Sequence, residues 1–232
     1  MKDIFSIEGK VAVVTGGSRG IGEMIASGFL ASGAKVYISS RKVEVCDATA
    51  ERLTKEFGSE CISIPADLSN IEGIELLANE VTNREAKLDI LINNAGASWG
   101  APIDEYPEMG WDKVMDTNVK GVFFLTQKLL PALRKAASTQ NPSRVVNIGS
   151  IDGIKTGGFD AFAYGPSKAA LHHLTRVLAA SLIKENIIVN AIAPGPFPTW
   201  MLSTGVGFGG ETNVDWGVVG EQNPSGRVGN ME

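Results

Sequence analysis

The chain has 232 residues, 44% of them hydrophobic and 20% charged, with 21 Lys plus Arg against 26 Asp plus Glu for a net charge of −5. That composition excludes disorder, collagen-like repeats and a disulfide scaffold, and the acidic balance argues against non-specific nucleic-acid binding, which needs a basic excess. Cys46 and Cys61 are too far apart for a metal knuckle, no apolar run reaches the ~18 residues of a membrane helix, and the first apolar strand at about Lys10 leaves no room for a signal peptide, so a cytoplasmic globular protein without metal or membrane partner is expected.

Short apolar runs alternate with longer amphipathic segments. Lys10–Thr15 (KVAVVT) is continuous in the manner of a buried parallel strand. Ile21–Ser32 follows at helical period, with Gly33 placed as a C-terminal cap. Lys35–Ser39 is the second strand, followed by a polar helix from about Glu44 to Phe57 that Gly58 stops, and Cys61–Pro65 is the third. Ser69 with Glu72 reads as a capping box opening a helix to about Ala86. Leu88–Asn93 is a strand, Val119–Ser138 a long helix, Arg144–Gly149 a strand, Pro166–Glu185 a helix and Ile187–Ile192 the sixth strand. Strands separated by helices imply βαβ units with right-handed crossovers, hence a doubly wound α/β domain with helices on both faces of a parallel sheet.

The strand ends carry polar or glycine-rich residues: Thr15–Gly16, Ser40–Arg41, Asp67, Asn93–Asn94, Ser150 and Pro194–Gly195. Ligands of open α/β sheets bind outside those carboxyl ends, although polar turns also follow many strands with no ligand at all. Thr15-Gly16-Gly17-Ser18-Arg19-Gly20-Ile21-Gly22 stands between strand and helix, where glycines admit positive φ and close backbone approach to a pyrophosphate. The lack of a Lys-Ser/Thr after the glycines excludes a P-loop. Gly16 to Gly20 also satisfies G-x-S-x-G, a hydrolase nucleophile elbow, but His172 and His173 fall inside a predicted helix as solvent-facing residues, which leaves Ser18 without a base.

Tyr164-Gly165-Pro166-Ser167-Lys168 sets a phenol and an ammonium four residues apart at a helix start, on one face. Pro166 is tolerated there because a first-turn N–H has no intrahelical partner. A neighbouring cation is expected to lower the phenol's pKa from ~10 toward the working pH. A lone Tyr-x-x-x-Lys is usually a surface pair; Ser150 at a strand end, Asn118 at a helix break and the glycine loop make this one a candidate site.

On these motifs the sequence resembles the short-chain dehydrogenase/reductase family from about Phe5 to Gly229. Thr15 to Gly22 matches the T-G-x-x-x-G-x-G cofactor loop, Asp67 the aspartate that holds the adenine, and Asn93-Asn94-Ala95-Gly96 the N-N-A-G turn. Asn118, Ser150, Tyr164 and Lys168 match the catalytic tetrad, and Pro194-Gly195 with Thr199 resembles the segment contacting the nicotinamide. The phrases NNAGASWGAP and AYGPSKAALH are most similar to 3-oxoacyl-(acyl-carrier-protein) reductases, especially the branch associated with rhamnolipid synthesis.

The resemblance implies a nicotinamide cofactor held by Thr15, Gly16, Ser18, Arg19, Gly20, Ile21 and Gly22, by Ser40, Arg41, Ala66, Asp67 and Leu68, and by Asn94, Ala95, Gly96, Tyr164, Lys168, Pro194, Gly195 and Thr199. It implies Tyr164 as general acid, Lys168 as the group lowering its pKa and binding the nicotinamide ribose, Ser150 orienting the substrate carbonyl, and Asn118 anchoring a relay water. No acid follows the second strand in Ser39-Ser40-Arg41-Lys42, and Arg41 with Arg19 suits a 2′-phosphate, so NADP(H) is expected. The expected substrate is a carbonyl compound, a 3-oxoacyl thioester on acyl-carrier protein or CoA, with another ketone, sugar or polyol as the alternative and a cofactor-binding sensor as the non-enzymatic reading. Trp99, Phe159, Phe197, Trp200 and Met201 are candidates for an apolar pocket. One Rossmann domain over 1–232 is expected, with residues 195–232 a mobile substrate-lid region, the family's last helix and edge strand lacking, and the tail after about Met201 disordered. Family members pair the helices equivalent to Val119–Ser138 and Pro166–Glu185, which implies a homo-oligomer, a dimer before a tetramer.

Overall fold

A computed structural model of the chain describes residues 5–156, 160–203 and 214–231. Its strands β1 (Val11–Thr15), β2 (Lys35–Ser39), β3 (Cys61–Ser63), β4 (Ile90–Asn93), β5 (Ser143–Ile148) and β6 (Ile187–Ile192) form one parallel sheet in the order β3-β2-β1-β4-β5-β6. The chain order reverses where β1 and β4 lie side by side, Val13 opposite Leu91. Connections leave those two strands in opposite directions, and a crevice opens at their carboxyl ends.

The alternation of side chains along each strand sends residues to two cores. Val11, Val13, Tyr37, Leu91 and Val145 face α3 (Ile71–Arg84), α5 (Gly121–Ala136) and α6 (Tyr164–Leu182), meeting Leu77, Leu129 and Leu178 among others. Ala12, Val14, Val36, Ile38 and Ile92 face α1 (Gly20–Ala31) and α2 (Val43–Phe57), meeting Leu30, Ala50 and Leu53. Two covered faces are why the strands read as unbroken apolar runs. Each fully buried leucine contributes ~1.5–3 kcal/mol of apolar burial.

A buried polar lattice crosses one of these cores. Asn93 Nδ2 donates to Asn147 Oδ1 at 2.9 Å and Thr126 Oγ1 at 3.2 Å, and Asn147 Nδ2 donates to Thr175 Oγ1 at 2.9 Å. These bonds fasten α5 and α6 to β4 and β5, and they offset the desolvation of groups that would otherwise oppose folding.

Four local expectations are corrected. The capping box at Ser69 does not form: Asp67 Oδ1 takes the Ser69 hydroxyl at 2.8 Å, and Asn70 caps α3 by accepting from Gly73 N at 2.8 Å. The helix expected over Val119–Ser138 runs from Gly121 to Ala136 as α5; Val119 and Lys120 belong to a π turn at Asp116–Lys120 that joins it to the preceding α4 (Glu108–Met115). Gly121 sits at that junction, where a Cβ would come within 2.4 Å of the Leu68 carbonyl oxygen. The helix expected from Pro166 begins at Tyr164 and ends in a 3-10 turn, Ile183–Glu185, closed by Asn186 at φ 59°. The tail after Met201 is not simply disordered: within 214–231 a short helix α7 (Trp216–Glu221) forms, and Gly229 N donates to Pro196 O at 2.9 Å. Residues 204–213 of that tail lie outside the described residues.

Candidate active site

β1 delivers Thr15 to the crevice floor. Its Oγ1 accepts from Asn94 N and Ala95 N, both at 2.9 Å, and donates to Ile92 O at 3.2 Å. Asn94 Nδ2 returns bonds to Thr15 O at 2.9 Å and Gly16 O at 3.3 Å. The glycine loop and the Asn94–Gly96 turn are therefore one hydrogen-bonded unit. Gly16 adopts φ +65°, and a Cβ on Gly22 would sit 2.2 Å from the Gly16 oxygen, so both positions require glycine. Arg19 stands at the N-cap of α1 and makes no side-chain cap bond, which leaves the helix's positive end facing the crevice.

Beyond the loop, the Ser39 and Ser40 hydroxyls are buried without a hydrogen-bond partner. The Arg19 guanidinium is held below its ordinary range by burial and by the positive charge of Arg41. Two converging cations, one of them next in the chain to the unsatisfied Ser40 hydroxyl, fit a phosphate: an anion there relieves the repulsion and supplies acceptors. Arg19 also stacks on Trp200, 4.3 Å from the ring centroid, and the Thr199 methyl lies where a Cβ on Gly20 would approach to 3.3 Å. Ala66 N donates to Ser40 O at 3.1 Å, and Asp67 Oδ1 accepts from Ser69 N at 3.0 Å. Leu68 is buried in the adjoining core, and Pro194 O accepts from Ile151 N at 3.1 Å. Ser18, the would-be nucleophile, is buried after β1, while His172 packs at the end of β5 with β4 between them. That separation removes the hydrolase arrangement.

A second cluster lies across the crevice. Ser150 follows β5, with extended backbone and Oγ accepting from Asp152 N at 3.1 Å. Its hydroxyl also reaches the phenol of Tyr164 at the start of α6. Lys168 is buried one turn further on, donates to Ile148 O at 2.8 Å and has its Nζ 5.7 Å from the Tyr164 ring centroid. Asn118 is fully buried in the π turn; Nδ2 donates to Ala97 O and Ser167 Oγ, both at 2.9 Å, and Oδ1 accepts from Ala97 N at 2.8 Å. Gly96 fits between Asn118 and Lys168, since a Cβ there would be 3.4 Å from Asn118 Oδ1 and 3.6 Å from Lys168 Nζ.

The electrostatics of this cluster correct one expectation. Burial pushes the Tyr164 phenol up; the Ser150 hydrogen bond opposes that and the Asp152 charge adds to it, so the phenol is not lowered as the neighbouring lysine implied. Burial instead brings the Lys168 ammonium down to about 8. Desolvation outweighs cation–phenol attraction here because both groups are withdrawn from water.

Ser167 is a site residue that sequence reasoning missed. It receives Asn118 and donates to Tyr164 O at 2.7 Å, and its position three residues after Tyr164 was the available signal. Of the expected pocket, Trp99 lies under Gly110 with Lys113 at 5.3 Å from its ring, and its carbonyl accepts from Tyr106 Oη at 3.1 Å. Tyr106 meets Phe162 edge to face at 5.7 Å, while Phe197 packs against Gly229. Phe159 lies outside the described residues. Among the described residues no group of three or more His, Cys, Asp or Glu could hold a metal, and no helix is long and apolar enough to cross a membrane.

This geometry has counterparts among known proteins. The chain is 55% identical over 201 residues, 87% of this chain and 78% of the relative, to the rhamnolipids biosynthesis 3-oxoacyl-(acyl-carrier-protein) reductase of Pseudomonas aeruginosa. It is 37% identical over 195 residues, 84% of this chain and 74% of the relative, to the 2-dehydro-3-deoxy-D-gluconate 5-dehydrogenase of Escherichia coli. Among solved structures, the Pseudomonas aeruginosa RhlG/NADP active-site complex superposes with a TM-score of 0.91 at 49% identity, covering 100% of this chain and 88% of that one. L-Sorbose reductase from Gluconobacter frateurii, complexed with NADPH and L-sorbose, gives a TM-score of 0.79 at 32% identity over 84% and 72% of the two chains. The family model described as short chain dehydrogenase matches residues 10–205. With that match spanning most of the chain and both halves of the crevice, this protein belongs to the short-chain dehydrogenase family.

Proposed function

We propose that the chain is an NADPH-dependent reductase that converts the ketone of a 3-oxoacyl thioester to a secondary alcohol. The observation that carries the reductase reading is the convergence of Ser150, Tyr164 and Lys168 opposite a glycine loop flanked by Arg19 and Arg41. The loop's N–H groups and the α1 terminus would hold the pyrophosphate, Arg19, Arg41 and Ser40 the 2′-phosphate, and Asp67 the adenine edge. NADPH, when bound, supplies the hydride.

The protein's own groups handle the oxygen. The Ser150 hydroxyl donates to the ketone oxygen and fixes it beside Tyr164. A phenol pushed up by burial stays protonated at neutral pH and serves as general acid, giving its proton to that oxygen as negative charge develops. Lys168 re-supplies positive charge close to the resulting phenolate, and Asn118 with Ser167 fixes the backbone around both. Product is the alcohol; the proton lost from Tyr164 returns from solvent.

The 55% identical relative supports the thioester substrate, as does an apolar flank built from Trp99, Tyr106 and Phe162. A sugar ketone is the second reading, favoured by the gluconate and sorbose enzymes. NADPH oxidation measured against 3-oxoacyl-CoA and pantetheine thioesters, ketohexoses and ketogluconates decides between them: kcat/KM higher for the sugars overturns the thioester assignment. We further propose a homodimer through α5 and α6, where Val177 of α6 and Ile183 of the turn that closes it are 49% and 54% exposed; light scattering at several concentrations that gave a stable tetramer or a monomer would refute it.

A further inference from the structure

The face of α6 beyond Lys168 carries a group that the reductase reading leaves unused. His172 follows Lys168 by four residues and so shares its side of the helix. Its imidazole is not solvent-facing as the sequence suggested. Nε2 is buried with no hydrogen-bond partner, and it lies so close to β5 that a Cβ on Gly149 would come within 2.0 Å of it. The ring also lies close enough to the Gly153 backbone to feel its polarity.

Gly149 and Gly153 bracket the turn that presents Ser150. On its far side the turn is tied to β6 and the loop beyond it, Gly149 N donating to Ile192 O at 2.7 Å and Ile151 N to Pro194 O at 3.1 Å. On its near side Gly153 rests on the α6 backbone, where a Cβ would meet Lys168 C at 2.7 Å. The imidazole occupies the space beside Gly149, where its Nε2, Cδ2 and Cε1 all lie near the position a Cβ would take.

We propose that His172 is a positioning residue for catalysis: its neutral ring grips the 149–153 turn from below and holds Ser150 at the angle that meets both Tyr164 and the substrate ketone. This rests on the assignment of Ser150 to the ketone oxygen. A proton on Nε2 would place a charge where no acceptor reaches it. The charged groups acting on the ring are Lys168 and Arg176 from α6; the turn offers its Gly153 backbone, and Gly149, just past the end of β5, stands against the ring. Burial first, then the positive charges of Lys168 and Arg176, hold the imidazole below its ordinary value, against the Gly153 backbone. The neutral ring is therefore the resting form, and acidification expels it and releases the turn.

The test is the pH dependence of kcat between pH 5 and 8 for the full chain and for H172F, H172Q, G149A, H172S, G149A/H172S and S150A. H172F keeps the ring without a titrating nitrogen, and H172Q covers the case in which H172F does not fold. The expected result is a fall in kcat of about tenfold to a hundredfold in H172F and H172Q, with the wild-type acid limb gone and KM for NADPH unchanged. G149A should lose kcat, and G149A/H172S should recover part of that loss because the smaller side chain vacates the space the methyl needs. An acid limb retained in both H172F and H172Q, with G149A and H172S effects that simply multiply, overturns the proposal. Full turnover in S150A would instead overturn the assignment of Ser150, a different failure.

Discussion

Replacing Thr15 by Val preserves shape and β-branching at a residue that is 1% exposed, while deleting one hydroxyl. The loss can be followed bond by bond. Asn94 N keeps a second acceptor, Ile92 O at 3.2 Å, and Ile92 O keeps Asn94 N, so neither is orphaned. Ala95 N loses its acceptor at 2.9 Å. An unsatisfied buried donor costs ~1–3 kcal/mol, and a weakened bond adds ~0.5–1 kcal/mol. Both residues are partly buried, so water recovers some of this, leaving ~1.5–3 kcal/mol. At ~2–4 °C per kcal/mol for a chain of this size, Thr15→Val should melt about 3–12 °C lower. Because Thr15 joins the glycine loop to the Asn94–Gly96 turn, NADPH affinity should fall in the same variant. Thr15→Ser is the control: it keeps the hydroxyl and loses a methyl worth ~1 kcal/mol. Thermal unfolding by circular dichroism and NADPH titration read both effects. A Thr15→Val protein as stable as wild type and more stable than Thr15→Ser would refute the reasoning.

Tyr164→Phe removes the proton donor and keeps the ring, so turnover should drop ~10²–10⁴-fold with NADPH affinity intact; near-normal rates in the purified variant contradict the assignment. Arg41→Asp removes a phosphate partner and offers an acid to ribose hydroxyls, and a charged hydrogen bond of ~1.5–3 kcal/mol shifts preference toward NADH by roughly ten- to a hundredfold. Unchanged cofactor selectivity would show that Arg41 does not meet the phosphate. With the Lys168 ammonium brought down to about 8 from 10.5, reduction should decline above about pH 8. The folded state binds this proton more weakly than the unfolded chain, so stability should rise as pH climbs from 8 toward 10.5. Chemical denaturation of wild type and Lys168→Met across that range checks it, since the variant lacks this contribution; parallel curves would exclude it.

Much of this architecture was legible because it follows from local rules. Unbroken apolar runs such as VAVVT announce a strand covered on both faces, and glycines between strand and helix announce the crevice at its end. The four-residue spacing of Tyr164 and Lys168 by itself puts them on one helix face. What escaped depends on which group arrives first or on water that is no longer there. Ser69 could cap α3 by its sequence pattern, yet Asp67 is nearer and takes its hydroxyl. The direction of the Tyr164 and Lys168 shifts is set by burial, a property of the assembled layers. His172 reads as an outward helix residue until the turn after β5 folds back over it.

The amides linking β4 and β5 to α5 and α6 also restrict how this sequence can drift. Thr126 Oγ1 gives its single proton to Val122 O at 2.7 Å, and Thr175 Oγ1 gives its own to Leu171 O at 2.8 Å. Each hydroxyl can therefore only accept from the strand side, so the polarity of the lattice runs one way, from sheet to helix. Asn147→Asp, which preserves size, would face Thr175 with an acceptor where a donor is required. Asn147→Leu would strip Asn93 of its 2.9 Å acceptor. Neither replacement of Asn147 is tolerated alone, and apolar replacement approaches neutrality only when both sides of a bond change together. Substitutions among Asn93, Thr126, Asn147 and Thr175 should therefore be non-additive, each one changing what its bonded partner can tolerate.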